Sequence, residues 1–540
     1  MRHGGVAALL LAALVLAACQ PAEPQPAPSP SPVAEPDGPG TLRWALGADP
    51  TSLDPARIVR DDDALLVDAL FDSLTRLGPD LQAEPALALS WTTTPDARSF
   101  TFSLDPAARW HDGSPVLADD VVRGLQRIAD GDLEPASVHA GLLRNVVGFA
   151  AAQVGQPLRG VVAVDDATVR FDLSDPLPEL PRILAHPALA PVPPLALDDP
   201  AAFGESPVGN GPFRLAEAWA HNQFLRLAPS DTHPSPGNVD EVVFRIYGSD
   251  EDRSIRHADL LAGQIQVSQL PAGRREEVTA PGSGLTLVDG LTDTVSMLLF
   301  DTRQPPLDDP RFRRGVSLLI DREAIAARTD GARDPATSLV PPSLPGATGN
   351  PCVWCRHDPE AAASLIGTVL AERERDLVGP PAPLVLQTST DPVHSTLADQ
   401  LSAALRGVGL QVRVVREGTA AYLDVAAEQQ PAVIRLGWAP DEPTLRPWTE
   451  ELFGAGAIGA RLTGWQPGSL QDLLGTAAAS ADTDTRERAW QQVERLALDA
   501  AVVAPVLHYR DDLLVADSVE GLVRDPFGHV DLAAVTVAAP

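Results

Sequence analysis

Residues 382–416 read APLVLQTSTDPVHSTLADQLSAALRGVGLQVRVVR, and this stretch decides the fold class. Its apolar run LVL predicts a short strand, and Leu397, Leu401 and Leu405 then repeat at helical spacing until the glycines of RGVG end the helix. A second apolar run at 410–415 predicts another strand. A strand, a helix and a strand of this length predict a βαβ unit with parallel strands, so we expect an α/β fold.

The following segment, AVIRLGW at 432–438, predicts a further strand of the same sheet. Trp438 ends this strand, and Asp441 follows between Pro440 and Pro443. In open α/β sheets, ligands bind beyond the carboxyl ends of the strands, which makes Asp441 a candidate ligand contact. The alternative is that Asp441 only stabilises a turn between the two prolines, as aspartate often does.

Two helices are indicated outside this unit. Residues 307–328 predict one continuous helix, because Asp309 can cap it, Pro310 suits its first turn, and apolar residues fall on one face. Residues 118–128 predict another, for which Asp119 would support the first turn in the absence of a hydroxyl cap. Alternating apolar residues near positions 41, 100, 169 and 242 predict half-buried strands.

The composition excludes some classes of function. The chain has 540 residues, a formal net charge of −32 and no lysine. Nucleic-acid binding needs basic side chains against phosphates, so no nucleic-acid partner is expected. A phosphate loop ending in Gly-Lys-Ser/Thr is excluded because lysine is missing.

The N-terminus predicts export. Residues 1–19 combine Arg2 with an apolar run too short to span a bilayer, which is typical of a signal peptide. The run ends in Leu-Ala-Ala-Cys19 and resembles the bacterial lipobox, which implies cleavage before Cys19 and lipidation of its thiol. An ordinary signal peptide with an incidental cysteine is the alternative. Residues 20–40 are rich in proline and indicate an extended tether between lipid and domain.

The other cysteines, Cys352 and Cys355, lie in the loop sequence NPCVWCRHDP. A close pair in an oxidising compartment usually forms a disulfide, and this is our prediction. A redox-active pair remains an alternative, although such motifs occur where a strand enters a helix. A zinc site would need two more ligands, and only His357 is near in sequence.

Seven segments, in this order, are similar to the family 5 extracellular solute-binding proteins of ABC importers, which bind oligopeptides, dipeptides and nickel chelates. They are ADPTSLDPA (48–56), AEPALALSW (83–91), FTFSLDPAARWHDGSPVLADDVVRGLQRI (100–128), SPVGNGPFRL (206–215), GNVDEVVFRIYGSDEDR (237–253), DDPRFRRGVSLLIDREAI (308–325) and GWAPDEP (437–443).

The resemblance implies a two-lobed periplasmic-binding-protein-like fold of the cluster C type, with an additional domain on the first lobe. By this resemblance lobe one comprises 41–78, 207–296 and 507–540, the additional domain 79–206, and lobe two 297–506. The segments 295–302 and 504–510 would cross between the lobes. The implied protein is an extracytoplasmic, membrane-anchored monomer that captures peptides or similar small solutes for ABC permease subunits, without a cofactor.

The resemblance also implies site residues. Asp441 corresponds to the acid that pairs with a peptide's α-amino group, and Trp438 would wall the site. Arg435 would approach the peptide carboxylate, although period two places Arg435 and Trp438 on opposite faces of a regular strand. Ser52 and Leu53, in the first matching segment, are further expected contacts.

One departure from the family pattern bears on the ligand. Glu442 stands where an aromatic residue is usual, and we expect it to lie in the cleft and to favour a more cationic ligand. In the helix predicted over 307–328, Gly315 replaces the usual alanine.

No catalytic site and no protein-built metal site are predicted. Gly-x-Ser-x-Gly and His-Glu-x-x-His are absent, and the eleven histidines are scattered. His111 and Asp112 are adjacent, but neighbours in sequence rarely face each other. The alternatives to a transport protein are an exported hydrolase-like enzyme and a transport-independent receptor or adhesin on the same fold.

Overall fold

The computed structural model describes residues 40–248, 253–271, 273–278, 280, 282–349, 352–374, 383–418 and 421–538. The predicted signal peptide, the lipidation site Cys19 and nearly all of the predicted tether lie outside the described residues. Within those residues, every helix is too short or too polar to cross a bilayer.

Strands account for the three main layers of the fold. In chain order they are β1 (Thr41–Leu46), β2 (Thr75–Leu77), β3 (Ala83–Pro85), β4 (Ala88–Thr93), β5 (Ser99–Leu104), β6 (Val161–Asp165), β7 (Thr168–Asp172), β8 (Phe213–Leu215), β9 (Phe224–Pro229), β10 (Glu241–Ile246), β11 (Val267–Gln269), β12 (Leu285–Val288), β13 (Leu291–Phe300), β14 (Arg333–Pro335), β15 (Leu384–Ser389), β16 (Val412–Glu417), β17 (Val433–Trp438), β18 (Val503–Arg510), β19 (Leu513–Ala516), β20 (Val519–Glu520) and β21 (Thr536–Val537).

Helices pack on these sheets. The α-helices span Asp61–Leu70, Ala118–Ala129, Phe149–Ala152, Leu180–Ile183, Leu195–Asp198, Pro200–Glu205, Arg253–Leu261, Arg275–Val278, Pro310–Leu318, Arg322–Ala326, Pro359–Arg373, Pro392–Gly407, Tyr422–Gln429, Glu450–Phe453, Ile458–Thr463, Gly468–Ala479 and Thr483–Asp499.

A six-stranded sheet carries the predicted βαβ unit. Its strand order is β14-β18-β13-β17-β15-β16, and β15 runs parallel to both β16 and β17. The helix Pro392–Gly407 connects β15 to β16, and Leu397, Leu401 and Leu405 are buried in the core as their spacing predicts. The βαβ unit and the further strand ending at Trp438 are therefore confirmed.

A seven-stranded sheet forms the second layer, in the order β12-β19-β11-β1-β10-β9-β8. All its strands come from the ranges predicted for lobe one. A four-stranded antiparallel sheet, β4-β5-β7-β6, comes from the range predicted for the additional domain. The α/β, two-lobed fold class is confirmed, whereas the lobe boundaries stay a prediction.

The chain passes twice between the two large sheets at adjacent positions. It goes from β12 into β13 through Gly290, and from β18 into β19 through Asp511 and Asp512. The backbone N–H of Asp511 donates to the carbonyl of Gly290 at 2.8 Å, and the N–H of Gly290 donates to Oδ1 of Asp512 at 2.9 Å. The two passages are thus hydrogen-bonded to each other.

The helix predicted over 307–328 is wrong in its length. The structure has two helices there, Pro310–Leu318 and Arg322–Ala326, because Asp321 caps the second one and accepts from the N–H of Ala324 at 2.9 Å. In the helix Ala118–Ala129, Asp120 rather than Asp119 supports the start, accepting from the N–H of Leu117 at 2.9 Å.

Candidate functional site

Asp441 lies in the turn that follows β17, at the carboxyl end of the strand. Its side chain is 44% exposed, and Oδ2 lies 2.8 Å from Nδ1 of His139. The other ring nitrogen of His139, Nε2, lies 3.1 Å from the carbonyl oxygen of Ile58. A segment of the predicted additional domain therefore meets the end of the lobe-two strand at this carboxylate.

The surroundings keep Asp441 ionised. Burial raises the pKa of Asp441, but the hydrogen bond with His139 and the charges of nearby histidines lower it, and the pKa lies below its ordinary value. A carboxylate that is both charged and partly exposed can bind a cationic group of a ligand.

Two further histidines surround Asp441. The ring centroids of His139 and His186 are 4.5 Å apart, and those of His186 and His529 are 6.3 Å apart. Burial holds the pKa of His186 well below its usual range. Burial also lowers the pKa of His529, but Asp525, whose Oδ2 lies 3.0 Å from Nδ1, outweighs it and raises the pKa to about 9.

Contrary to our expectation, the Glu442 side chain is buried and does not face the cleft. It is 2% exposed, its Oε1 accepts from Nε of Arg446 at 2.9 Å, and its Oε2 lies 3.2 Å from Arg144. Burial raises the pKa of Glu442, but the charges of Arg446 and Arg144 outweigh it and hold the pKa at about 2. Its charge is already paired within the protein, so the expectation that Glu442 lies in the cleft is wrong, whereas its effect on the choice of ligand stays a prediction.

Trp438 is fixed rather than free. Its Nε1 donates to the carbonyl of Pro447 at 3.1 Å, and its ring packs against the hydrophobic core of the six-stranded sheet. The half-buried ring therefore forms a rigid wall beside the turn that carries Asp441.

Arg435 points away from the Trp438 side, as period two predicts, since Ile434 and Leu436 pack in the same core as Trp438. Nε of Arg435 donates to Oγ of Ser296 at 3.2 Å, and an Nη donates to the hydroxyl of Tyr509 at 3.4 Å. Both partners are neutral, and among the described residues Arg435 has no carboxylate within ion-pair distance. Its guanidinium is the kind of group that a ligand carboxylate pairs with.

Ser52 and Leu53 lie in the loop after β1, tied to the additional domain. The N–H of Leu53 donates to the carbonyl of Gly204 at 2.8 Å, and the Leu53 side chain is fully buried. Oγ of Ser52 accepts from the N–H of Asp54, whose carboxylate pairs with Arg127. The structure does not bring the Leu53 side chain to the cleft, so only its backbone could contact a ligand there.

His111 and Asp112 do not act on each other. Nδ1 of His111 accepts from the N–H of Gly209 at 3.2 Å, and Nε2 lies 3.0 Å from the carbonyl of Gly211. Asp112 instead accepts from Ser114 within its own turn. His111 thus holds the glycine-containing segment in place, and Asp112 does not orient it as the acid beside a catalytic base would.

A disulfide joins Cys352 to Cys355. The peptide segment around it is held by the protein interior, since the carbonyl of Cys355 accepts from Arg322 at 2.7 Å and the carbonyl of Trp354 accepts from Ser317 at 2.7 Å.

Sequence reasoning missed the partners of the turn after β17. His139, Arg144 and His186 lie in no recognisable motif, and the contacts of His139 and Arg144 with the turn join residues 302 and 298 positions apart. Arg446 had a weak signal, its four-residue separation from Glu442, but no helix was predicted there that would have made the spacing meaningful.

Two solved structures show which fold class this chain has. The unliganded open form of the murein tripeptide-binding protein MppA aligns with a TM-score of 0.78 at 22% identity, covering 92% of this chain and 97% of that one. HbpA2 from Haemophilus parasuis aligns with a TM-score of 0.79 at 21% identity, covering 92% and 99%. The architecture is therefore that of the periplasmic peptide-binding proteins.

The family follows from sequence. Residues 82–459 match the bacterial extracellular solute-binding proteins, family 5. This chain belongs to that family, whose members are binding proteins and not enzymes. The dipeptide-binding protein DppE of Bacillus subtilis is 26% identical over 499 residues, covering 90% of this chain and 89% of its own. The periplasmic oligopeptide-binding protein OppA of Escherichia coli is 26% identical over 510 residues, covering 91% of each chain.

Proposed function

We propose that this chain is a lipid-anchored extracytoplasmic binding protein that captures short peptides, or similar small solutes with an ammonium group, and delivers them to an ABC permease. The observation that carries the ligand class is the Asp441 carboxylate, ionised and 44% exposed at the carboxyl end of β17. An ammonium group leaving water needs a charged partner of this kind.

The relatives support a peptide ligand. Two relatives that match most of this chain are named as binding dipeptides and oligopeptides. Peptides differ in their side chains, so a protein that binds many of them must recognise what they share, which is the backbone and its two termini.

The remaining site residues fit those shared groups. Arg435 lies on the face of β17 opposite to Trp438, so its guanidinium, which lacks an acidic partner among the described residues, would take the ligand carboxylate only where the ligand passes over the end of the strand. The fixed ring of Trp438 would wall the α-amino end. Ser52 would offer its hydroxyl and Leu53 its backbone from the loop after β1.

Capture would proceed by closure of lobe one (41–78, 207–296 and 507–540) and lobe two (297–506) around the ligand. The paired passages at Gly290 and Asp511 provide a narrow connection about which such lobes can turn. A permease that contacts both lobes would then bind the closed, loaded form in preference to the open form.

Calorimetric titration tests the ligand assignment with three matched probes: a free tripeptide, its N-acetylated form and its C-amidated form. Asp441→Asn should lower the affinity for the free tripeptide at least about 30-fold. This is the loss expected when one partner of a desolvated ion pair is neutralised. N-acetylation of the tripeptide should lower its affinity for the wild-type protein by a similar factor. It should cause little further loss of affinity in the Asp441→Asn variant. Asp424→Asn, an exposed acid on the helix Tyr422–Gln429, is the matched control.

Binding of all three probes with equal affinity, or equal affinity in Asp441→Asn and wild type, would refute the ammonium contact. Mass spectrometry of material released from the natively purified, denatured protein identifies the natural ligand. Peptides among that material support the proposal, and a ligand without an amine contradicts it.

Separate experiments test the lipid anchor, the role in transport and the monomeric state. Cys19→Ser should move the protein from the membrane fraction into the medium or the soluble extract, since an N-terminal lipid would be its anchor. Deletion of the gene should abolish uptake of a labelled peptide that the purified protein binds. Light scattering should give the mass of a monomer. Unchanged membrane retention or unchanged uptake would overturn these parts.

A further inference from the structure

We propose that His139, His186 and Asp441 form a binding site for a divalent first-row transition-metal ion such as Zn²⁺ or Ni²⁺. One ligand atom from each of these residues lies within 4.8 Å of the others. Within the described part of the chain, this is the one group of three histidine, cysteine or acidic residues that converges in this way. The site goes beyond the proposed peptide function, although the two share Asp441.

His139 contacts Asp441 through one ring nitrogen and a backbone carbonyl through the other. Because the Ile58 carbonyl can only accept, Nε2 of His139 carries a proton, and Nδ1 faces Oδ2 of Asp441 at 2.8 Å. This separation is that of a hydrogen bond, so Nδ1 and Oδ2 must move apart before a metal ion can bind to both. Metal-binding histidines commonly donate their second N–H to a backbone carbonyl in this way.

His186 supplies the third group. Its ring lies 4.5 Å from that of His139, centroid to centroid. Its Nδ1 accepts from the N–H of Ala188 at 3.1 Å, which leaves Nε2 without a partner among the described residues. Coordination through Nε2 moves the ring proton to Nδ1, and the bond from Ala188 is then given up. The exchange costs this hydrogen bond and sets two donors, Nδ1–H of His186 and the N–H of the buried Ala188, against each other.

The donor set selects the class of ion. Imidazole nitrogen suits zinc, copper and nickel, whereas calcium and magnesium prefer oxygen ligands only. Ligand atoms around a tetrahedral zinc ion lie roughly 3.3 Å apart, so the 2.8 Å separation of His139 Nδ1 and Asp441 Oδ2 must widen on binding. Asp441 can make this movement because its side chain is 44% exposed and lies in a turn.

Three protein ligands leave at least one coordination position of a tetrahedral ion free, where water or the amine of a solute can bind.

The test uses the full-length chain without an affinity tag, purified in detergent and stripped with a chelator. Titration with ZnCl₂ and separately with NiCl₂, followed by calorimetry, should show one ion per chain. His139→Ala, His186→Ala and Asp441→Asn should each weaken binding at least tenfold, since each removes one ligand. His357→Ala, an exposed histidine elsewhere on lobe two, is the matched control and should leave the affinity within about twofold.

X-ray absorption of the zinc-loaded wild type provides evidence that does not depend on the folding of a variant. Two imidazole nitrogens in the coordination sphere support the site. An all-oxygen sphere, the absence of saturable binding, or equal affinity in all three ligand variants and wild type overturns it.

Peptide titration in the presence of the chelator separates this proposal from the proposed function. Peptide binding without any metal binding leaves the function intact and removes the metal site. Metal binding without peptide binding does the reverse.

Discussion

Nε of Arg446 donates a hydrogen bond of 2.9 Å to Oε1 of Glu442, and each of the two side chains is at most 3% exposed. Arg446 also donates from Nη1 to the side-chain oxygen of Asn145 at 2.7 Å. The Glu442–Arg446 pair thus joins the turn after β17 to residues in the range predicted for the additional domain. Of the two adjacent acids in this turn, only Asp441 is exposed enough to contact a ligand.

Glu442→Ala should lower the free energy of unfolding by about 3–5 kcal/mol, because it leaves the buried guanidinium of Arg446 without its partner. Urea denaturation measures the change. Asp424→Ala, at an exposed acid, should stay within about 0.5 kcal/mol of wild type. The milder Glu442→Gln should bind cationic and neutral peptides in the same ratio as wild type. A selective loss of cationic peptides in that variant would restore Glu442 as a specificity residue.

Gly315→Ala should destabilise the protein by about 1–2 kcal/mol. An added Cβ would lie 2.7 Å from Cγ1 of the buried Ile366 and 3.2 Å from the carbonyl of Ala362. The cost of overpacking, about 1–3 kcal/mol, exceeds the helix-propensity gain of at most about 1 kcal/mol. The helices Pro310–Leu318 and Pro359–Arg373 pack together at this point, so glycine permits their close approach.

Gly367→Ala on the partner helix is the matched control, because nothing lies within 4 Å of its added Cβ. It should raise the free energy of unfolding by about 1 kcal/mol. Ile366→Val should cost less in the Gly315→Ala background than in wild type, since it relieves the crowding. A stabilising Gly315→Ala would show that the helices move apart freely.

The sequence predicted the parts of the fold that depend on local periodicity. The leucines of the helix Pro392–Gly407 and the alternation along β17 each indicate a buried face, and burial follows those faces in the structure. Periodicity could not locate the break between Leu318 and Arg322. The apolar spacing continues across it, and the competing signal is one aspartate, Asp321, that caps the second helix.

Only those residues of the candidate site that lie at the end of β17 could be predicted from the sequence. Asp441 and Trp438 follow from the strand and from the family pattern, but His139 is separated from Asp441 by 302 positions. No spacing rule relates residues that far apart, because their contact depends on how two separately folded layers meet. The misjudgement of Glu442 has the same origin, since Arg144 and Asn145, which help to bury it, come from the other layer.

Reduction of the Cys352–Cys355 disulfide should lower the free energy of unfolding by about 2 kcal/mol or less. The bond closes a loop of sequence separation 3, so it restricts the unfolded chain very little. The hydrogen bonds from Arg322 and Ser317 remain in the reduced protein. Denaturation with and without a phosphine reductant measures the difference, and the Cys352→Ser/Cys355→Ser variant should not respond to the reductant. A collapse of the fold on reduction would contradict this expectation.

Glu494 should make stability depend on pH between about 4.5 and about 7. Burial raises the pKa of Glu494 to about 7, although the N–H groups of Leu339 and Val340, each 2.9 Å from Oε1, favour its ionised form. The folded state therefore holds this proton more tightly than the unfolded state. The contribution is complete below the unfolded pKa near 4.5 and is lost as the pH rises through 7. Because each tenfold difference in proton affinity between the two states corresponds to about 1.4 kcal/mol, the complete loss amounts to roughly 3–4 kcal/mol.

Glu494→Gln isolates this effect, because its amide oxygen can still accept from both N–H groups while the titrating proton is gone. Guanidinium denaturation at about pH 5 and about pH 8 should show a smaller loss of stability in Glu494→Gln than in wild type, by roughly 2–3 kcal/mol. Glu428→Gln, at an exposed position, should keep the wild-type difference. If Glu494→Gln and wild type lose the same stability over this range, the Glu494 carboxyl is ionised in the folded protein throughout, and the helix Thr483–Asp499 holds a buried charge rather than a buried acid.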